Sequence, residues 1–193
     1  MEEEDIDEEE LKQKGLENLI LLVLGENKEK ISVLHLEKEM FLLWNFHPQI
    51  KSYLKFIKYY RGPFSREIQE SAINPIFCEK CWVYIPPNKA DKLSGGYVKI
   101  TETGIKEYNR IYAELKKDDE ILHLLTGIKL VRRLYSKLSL EELLLLIYTT
   151  YPEYIRKSHV YNDISKNKEK LLEKLLEKKL IDEDRYKSIL IGE

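Results

Sequence analysis

The chain has 193 residues, enough for one domain with a substantial core or for two small domains. Hydrophobic residues make up 43% of the chain, which excludes wholesale disorder, and its apolar runs are too short to span a membrane. The formal net charge is −2, but residues 1–10 hold eight acids and no bases, so the rest of the chain carries a charge of +6.

The acidic segment 1–10 is predicted to be a disordered, solvated tail, because a block of like charges repels itself. An alternative is that it folds over a basic surface and competes there with a polyanion. Such an acidic start is unlike a signal peptide, and two cysteines are too few for a secreted disulfide scaffold. We therefore expect a cytoplasmic protein, and its abundance of Lys and Glu resembles an archaeal or thermophilic composition.

Four helices are predicted in the first 75 residues, from apolar side chains that recur at helical spacing. The first ends at Gly25, and the second covers residues 28–44. The third covers residues 48–60 and opens with a proline, which a helix tolerates in its first turn. The fourth is short and covers residues 65–73. The third helix would carry three lysines on one face: Lys51, Lys55 and Lys58.

A β-hairpin is predicted after the fourth helix. Residues 76–85 and 97–101 are rich in aromatic and β-branched side chains and flank a loop with prolines and glycines. Helices follow from about residue 103 onward, and one of them has Ser139 and Glu142 at capping-box spacing. The predicted division is an acidic tail at 1–10, a winged-helix-like domain at 11–116 and a helical extension packed on that domain at 117–193.

This order of helices and hairpin is that of a winged helix, a helix-turn-helix fold whose wing is the hairpin. The predicted fold class is therefore mainly α with a small β-hairpin. The first functional hypothesis is a DNA-binding transcription regulator, whose basic helix enters a groove of double-stranded DNA while its wing neutralises phosphates. An alternative is that the cations form an ordinary solvated surface and the tyrosines among them are ordinary packing. The predicted contact residues are Lys51, Lys55, Lys58, Arg61, Arg66, Lys89 and Lys92.

A structural turn is predicted at Gly62-Pro63, between the third and fourth helices. Pro63 has a fixed φ and disfavours the helical conformation in the residue before it. Gly62 accepts backbone angles that a side chain would oppose, and Ser65 can cap the helix that follows. We expect a tight corner that sets the direction of the fourth helix.

The segment YYRGPFSREI resembles the Tyr-x-Gly-Pro-[Phe/Tyr]-Ser motif of the Panacea domain, the SocA-type antitoxin domain, and of related phage-associated winged-helix-like proteins. The segments YVKITETGIKEY and LSLEELLLLIYTTYPEYIRKS are similar to that group's hairpin strand and leucine-rich helix. The resemblance covers about residues 30–158 and implies a mostly helical domain without catalytic machinery. Some members bind and neutralise a protein toxin or act as adaptors to proteolysis, which implies a second hypothesis: an antitoxin-type module that masks a protein partner.

No enzyme, cofactor or metal is predicted. Cys78 and Cys81 form one CxxC, but the four histidines are scattered and provide no matching pair for zinc. We expect these thiols to be small hydrophobes beside a strand, with a shared metal in a dimer or a disulfide as alternatives. No phosphate-binding loop or hydrolase motif is present. The leucines near the C-terminus span barely two heptads, which favours a helix docked on its own domain over a homodimer contact.

Overall fold

The computed structural model describes residues 7–91 and 94–192. Within these residues the chain is mainly helical, with one three-stranded antiparallel sheet and one separate two-stranded hairpin. In chain order the elements are α1 Glu8–Asn27, β1 Ile31–Ser32, α2 Val33–Phe46, a 3-10 helix Pro48–Ser52, β2 Ile57–Tyr59, β3 Gly62–Phe64, α3 Arg66–Ile73, β4 Trp82–Ile85, β5 Tyr97–Ile100, α4 Glu102–Leu115, α5 Asp119–Tyr135, α6 Leu140–Thr150, a second 3-10 helix Pro152–Lys157, α7 Tyr161–Lys166, α8 Lys168–Glu177 and α9 Glu183–Ile191.

Helix α1 begins inside the acidic segment. The Asp7 side chain caps the helix by accepting a hydrogen bond from the backbone N–H of Glu9, and three glutamates form the first turn. Carboxylates are favourable there because they face the positive end of the helix dipole. The prediction of a disordered tail is therefore wrong for residues 8–10, and residues 1–6 lie outside the described part of the chain.

Helix α1 also continues past its predicted end at Gly25 and finishes at Asn27. The glycine has a different role, because a Cβ at this position would lie 2.1 Å from the ring of Tyr108 on α4. Gly25 thus allows α4 to pack closely against α1, since real Cβ contacts are never that short.

The three-stranded sheet has the order β1-β5-β4, and both pairs are antiparallel. The hairpin predicted after α3 is confirmed as β4 and β5, with Trp82 opposite Ile100. Strand β1 lies inside the segment predicted as the second helix, where Ile31 pairs with Val98. Ser32 then caps α2 by accepting a hydrogen bond from the N–H of His35 at 3.1 Å, so the helix begins at Val33.

The predicted α-helix at 48–60 is wrong. Only the 3-10 helix Pro48–Ser52 forms there, and the chain then enters β2. Residues 53–60 are dominated by aromatic and β-branched side chains, which favour strands. The three lysines are spaced as on a helix, but they do not lie on one. No basic helical face carries Lys51, Lys55 and Lys58.

Gly62 and Pro63 lie in strand β3, so the predicted corner between two helices is replaced by a hairpin. Tyr59 pairs with Gly62 and Lys58 with Pro63. Gly62 has a φ of +85°, and a Cβ there would lie 3.0 Å from Cδ2 of Leu144, so both backbone angle and space favour glycine. Ser65 occupies the N-cap position of α3, but its hydroxyl donates to Glu67 Oε2 rather than capping a backbone N–H.

The described residues divide into two units. The first unit consists of two stretches, one up to Lys55 and one from Ser65 to Arg132. It contains the three-stranded sheet and helix α2, most of whose residues are buried. The second consists of Phe56–Phe64 and the residues from Arg133 onward. This division differs from the predicted boundary at 116/117, because α5 is shared by the two units and the β2–β3 hairpin belongs to the second.

Helices α6 and α8 supply the core of the second unit. The predicted capping box of α6 is confirmed: Ser139 Oγ accepts from the N–H of Glu142, whose carboxylate accepts from the N–H of Ser139 at 2.7 Å. Helix α8 buries Leu171, Leu172 and Leu175. Within the described residues, no helix combines the length and the apolarity needed to cross a membrane.

Candidate functional site

Four consecutive rings form a distinctive surface of the second unit, with two stacked pairs joined by one tilted pair. The ring centroids of Phe64 and Tyr59 are 4.7 Å apart, those of Tyr59 and Tyr60 are 4.4 Å apart, and those of Tyr60 and His159 are 4.3 Å apart. These separations lie at or just below the short end of the range for aromatic pairs, so the rings are in close contact. We call this row, from Phe64 through Tyr59 and Tyr60 to His159, the aromatic ladder.

The aromatic ladder is held in place by the segment that follows α6. The backbone N–H of His159 donates to the carbonyl oxygen of Tyr60 at 2.8 Å, which ties the hairpin turn to that segment. One residue earlier, Ser158 Oγ lies 2.6 Å from the hydroxyl of the buried Tyr148. The strand β2 also packs against the second 3-10 helix, Pro152–Lys157. The rings are therefore pre-organised for a contact rather than free to rearrange.

The hairpin exposes large apolar side chains. The exposed fractions are 54% for Ile57, 41% for Tyr59 and 49% for Tyr60. Clustered exposure of this kind marks contact surfaces, and tyrosine is among the residues enriched at the centres of protein interfaces. Lys58 lies within β2, and Arg156 and Lys157 end the 3-10 helix that packs on it, so cations accompany the apolar groups.

The predicted contact residues do not form one surface on one helix. Lys51 lies over the ring of Trp44, 5.3 Å from its centroid, and Lys55 lies in the segment without regular structure before β2. Lys58 is in β2 and Arg61 in the hairpin turn, both in the second unit. The remaining predicted residues are Arg66 on α3, Lys89 in the β4–β5 loop, and Lys92, which lies outside the described residues.

His159 and Ile57 are parts of this surface that the sequence did not single out. His159 is far from the hairpin along the chain, and no local pattern connects it with Tyr60. Ile57 lies in β2, inside the segment predicted as the third helix, and that helix does not form. The one usable signal was the density of aromatic residues in 53–64, which fits a strand pair better than a helix.

Cys78 and Cys81 are buried free thiols at the start of the β4–β5 hairpin. They belong to a turn in which the N–H of Cys81 donates to the carbonyl oxygen of Cys78 at 2.9 Å. Burial raises the pKa of both thiols, and in Cys78 the contact with Cys81 adds to the increase. Among the described residues, no group of three or more His, Cys, Asp or Glu side chains could hold a metal ion.

We expect the native thiols to be poorly reactive, because a raised pKa lowers the thiolate fraction near pH 8. Alkylation by iodoacetamide, followed by mass spectrometry, should be at least about tenfold slower for the folded chain than in urea. The folded state holds both protons more tightly, so stability should fall as the pH rises above the unfolded thiol pKa of about 8.5. Equal alkylation rates in both states would contradict this result.

The comparisons with known proteins assign neither a family nor an activity. No protein-family model matches the chain, and no curated protein matches it. The likeness to the Panacea domain stays a prediction from the sequence.

Proposed function

We propose that this chain is a cytoplasmic, non-enzymatic, winged-helix-like regulatory protein that acts by binding a protein partner through the aromatic ladder and Ile57. The partner is of the kind that an antitoxin masks: a folded protein with an apolar surface that the exposed rings can cover. The exposed apolar side chains on a fixed hairpin carry the proposal.

The arrangement of the first unit supports the winged-helix part of the proposal. Its elements follow the order α1, β1, α2, α3, β4, β5, and β1 extends the β4–β5 hairpin by pairing with β5. A winged helix has this order, with the hairpin as the wing. The residues between α2 and α3, including the β2–β3 hairpin, are an addition to that pattern.

The charge of α3 favours a protein partner over double-stranded DNA. In a winged helix, the helix before the wing is the one that enters the major groove. The exposed charges of α3 are Arg66, Glu67 and Glu70, and Arg66 Nε is paired with Glu70 Oε1 at 2.7 Å. A helix face with a net negative charge repels phosphates, so DNA binding is the less well supported alternative.

The test is co-expression of the chain with the product of each neighbouring gene, scored by relief of growth inhibition and by the Kd of the purified pair. We expect one product to be bound, and the double substitution Tyr59→Ala/Tyr60→Ala to weaken binding by at least about tenfold. Loss of two central interface tyrosines removes both apolar contact and ring stacking.

Tyr53→Ala is the matched control, because Tyr53 is an exposed tyrosine of the first unit. It should leave the Kd unchanged. The proposal is wrong if no neighbouring gene product is bound, or if the double variant and the control bind equally well. Steeply salt-dependent binding to duplex DNA, lost on substitution of Lys58 and Arg61 alone, would support the nucleic-acid hypothesis instead.

A further inference from the structure

The first unit contains an open groove of about 740 Å³ between α1, the segment 76–81 and α4. Three lysines line it, one from each side: Lys14 from α1, Lys80 from the segment 76–81 and Lys106 from α4. We call this site the lysine groove. Its volume is in the range of ligand-binding clefts, but its lysines are all exposed, so it is a surface channel rather than an enclosed pocket.

The charge of the lysine groove is positive but partly offset by acids, since Arg110 and Lys14 both help to lower the pKa of Glu107. In the part of the chain that the structure describes, Lys14, Lys80 and Lys106 form no ion pair with an acid. By contrast, Arg110, which also lines the groove, is bound to Glu107 at 2.6 Å and to Glu114 at 3.3 Å. With Glu79 and Glu107 as the two carboxylates of the lining, the four cations leave a net charge of +2.

Two apolar side chains lie in the same lining. Ile76 is 64% exposed and Phe77 is 39% exposed, although both are large hydrophobic residues. Exposed apolar groups beside exposed lysines provide two kinds of contact at once, one for carboxylates and one for an apolar side chain.

The wall that carries these two residues is fixed by a buried carboxylate. Glu17 of α1 is fully buried, and its two oxygens accept hydrogen bonds from the backbone N–H groups of Ile76, Phe77 and Cys78, each at 2.8 Å. Gln13 donates a further hydrogen bond to the same carboxylate at 2.7 Å. The groove therefore does not have to be ordered when a ligand binds, which favours affinity.

We propose that the lysine groove binds an acidic segment of a partner protein, with one apolar side chain of that segment packed on Ile76 and Phe77. An extended peptide fits an open channel, and its carboxylates complement the three lysines. A peptide can carry its carboxylates only beside the lysines, whereas a nucleic acid carries a phosphate at every nucleotide and therefore also meets Glu79 and Glu107, which disfavours it. This proposal is independent of the proposed function, because it concerns a different surface on a different unit.

The probe is a short fluorescein-labelled peptide of glutamates around one phenylalanine, titrated with the full chain at low salt and followed by anisotropy. We expect saturable binding, and we expect Lys14→Ala/Lys80→Ala/Lys106→Ala to weaken it by about tenfold or more. The control variant Lys99→Ala/Lys117→Ala/Lys129→Ala removes three other exposed lysines of the first unit and should bind as the parent does. Thermal melts of both variants check that the fold is retained.

Two further probes distinguish the apolar contact from the charge interaction, and a peptide ligand from a nucleic acid. A peptide with serine in place of phenylalanine should bind more weakly to the parent, while Phe77→Ser should bind the two peptides alike. A labelled single-stranded oligonucleotide of equal charge should bind more weakly than the acidic peptide. The proposal is overturned if the peptide does not bind, if the two triple-lysine variants bind it equally, or if the oligonucleotide binds more tightly.

Discussion

Glu17→Ala is expected to lower the free energy of unfolding by about 3–5 kcal/mol, since it leaves three backbone N–H groups without their acceptor. Those groups belong to Ile76, Phe77 and Cys78, which the Glu17 carboxylate binds from α1. Hydrogen bonds to a charged acceptor contribute more than neutral ones, and the N–H of Cys78 is buried away from water. The free energy of unfolding should be measured by urea unfolding, with one m value (the dependence of that free energy on urea concentration) fitted to both the variant and the parent.

Two companion variants make this experiment specific. Glu17→Gln keeps one acceptor oxygen in place and should cost less than alanine, about 1–3 kcal/mol. Glu10→Ala removes an exposed glutamate from the same helix and loses only its interaction with the helix dipole, so it should change stability by less than about 1 kcal/mol. An alanine variant at residue 17 that unfolds within about 1 kcal/mol of the parent would show that the segment 76–78 is held by other contacts.

Arg132→Met is the second substitution with a large expected effect, a loss of about 3–5 kcal/mol. Arg132 Nη1 lies 2.8 Å from both carboxylate oxygens of Glu39, and both side chains are buried. His35 Nε2 also lies close to this carboxylate, at 3.2 Å from Glu39 Oε1. Without the guanidinium, the carboxylate stays in the interior without its main partner, which is the costly case for a buried charge.

The double variant Arg132→Met/Glu39→Met distinguishes two quantities. One is the cost of leaving a buried charge unpaired, and the other is the net contribution of the ion pair to stability. It should regain most of the lost stability, because apolar residues of similar volume replace both charges. Arg66→Met is the surface control: its exposed pair with Glu70 should contribute less than about 1 kcal/mol. If the double variant is as unstable as Arg132→Met alone, the cost comes from packing rather than from the unpaired carboxylate.

Features that depend on neighbouring residues were predictable from the sequence. The capping box of Ser139 and Glu142 is a local pattern, and the structure forms it. The strands around the loop 86–96 are marked by side-chain type and turn residues, and β4 and β5 form there. Gly62 was expected to adopt backbone angles that a side chain would oppose, and it has a positive φ. It adopts this angle in a hairpin rather than in the expected corner between two helices.

Features that depend on distant residues were not predictable. Strand β1 has two residues and exists because Ile31 meets Val98 across the sheet. The pair of Arg132 and Glu39 joins residues 93 positions apart, and only their burial distinguishes them from ordinary surface charges. At residues 48–60 the spacing of apolar residues predicted a helix, whereas strand-forming side chains and long-range contacts determined the outcome.

The assembly of the second unit from two separated stretches has a consequence for how the protein matures on the ribosome. The hairpin residues Phe56–Phe64 are synthesised first, and the rest of their unit begins only at Arg133. At about 5–20 residues per second, the nascent hairpin waits for several seconds before α6 is complete. An isolated two-stranded ribbon is marginal in water, so Tyr59 and Tyr60 stay exposed to non-native contacts until α6 has been synthesised. A chaperone that shields them during this time would raise the yield of folded protein.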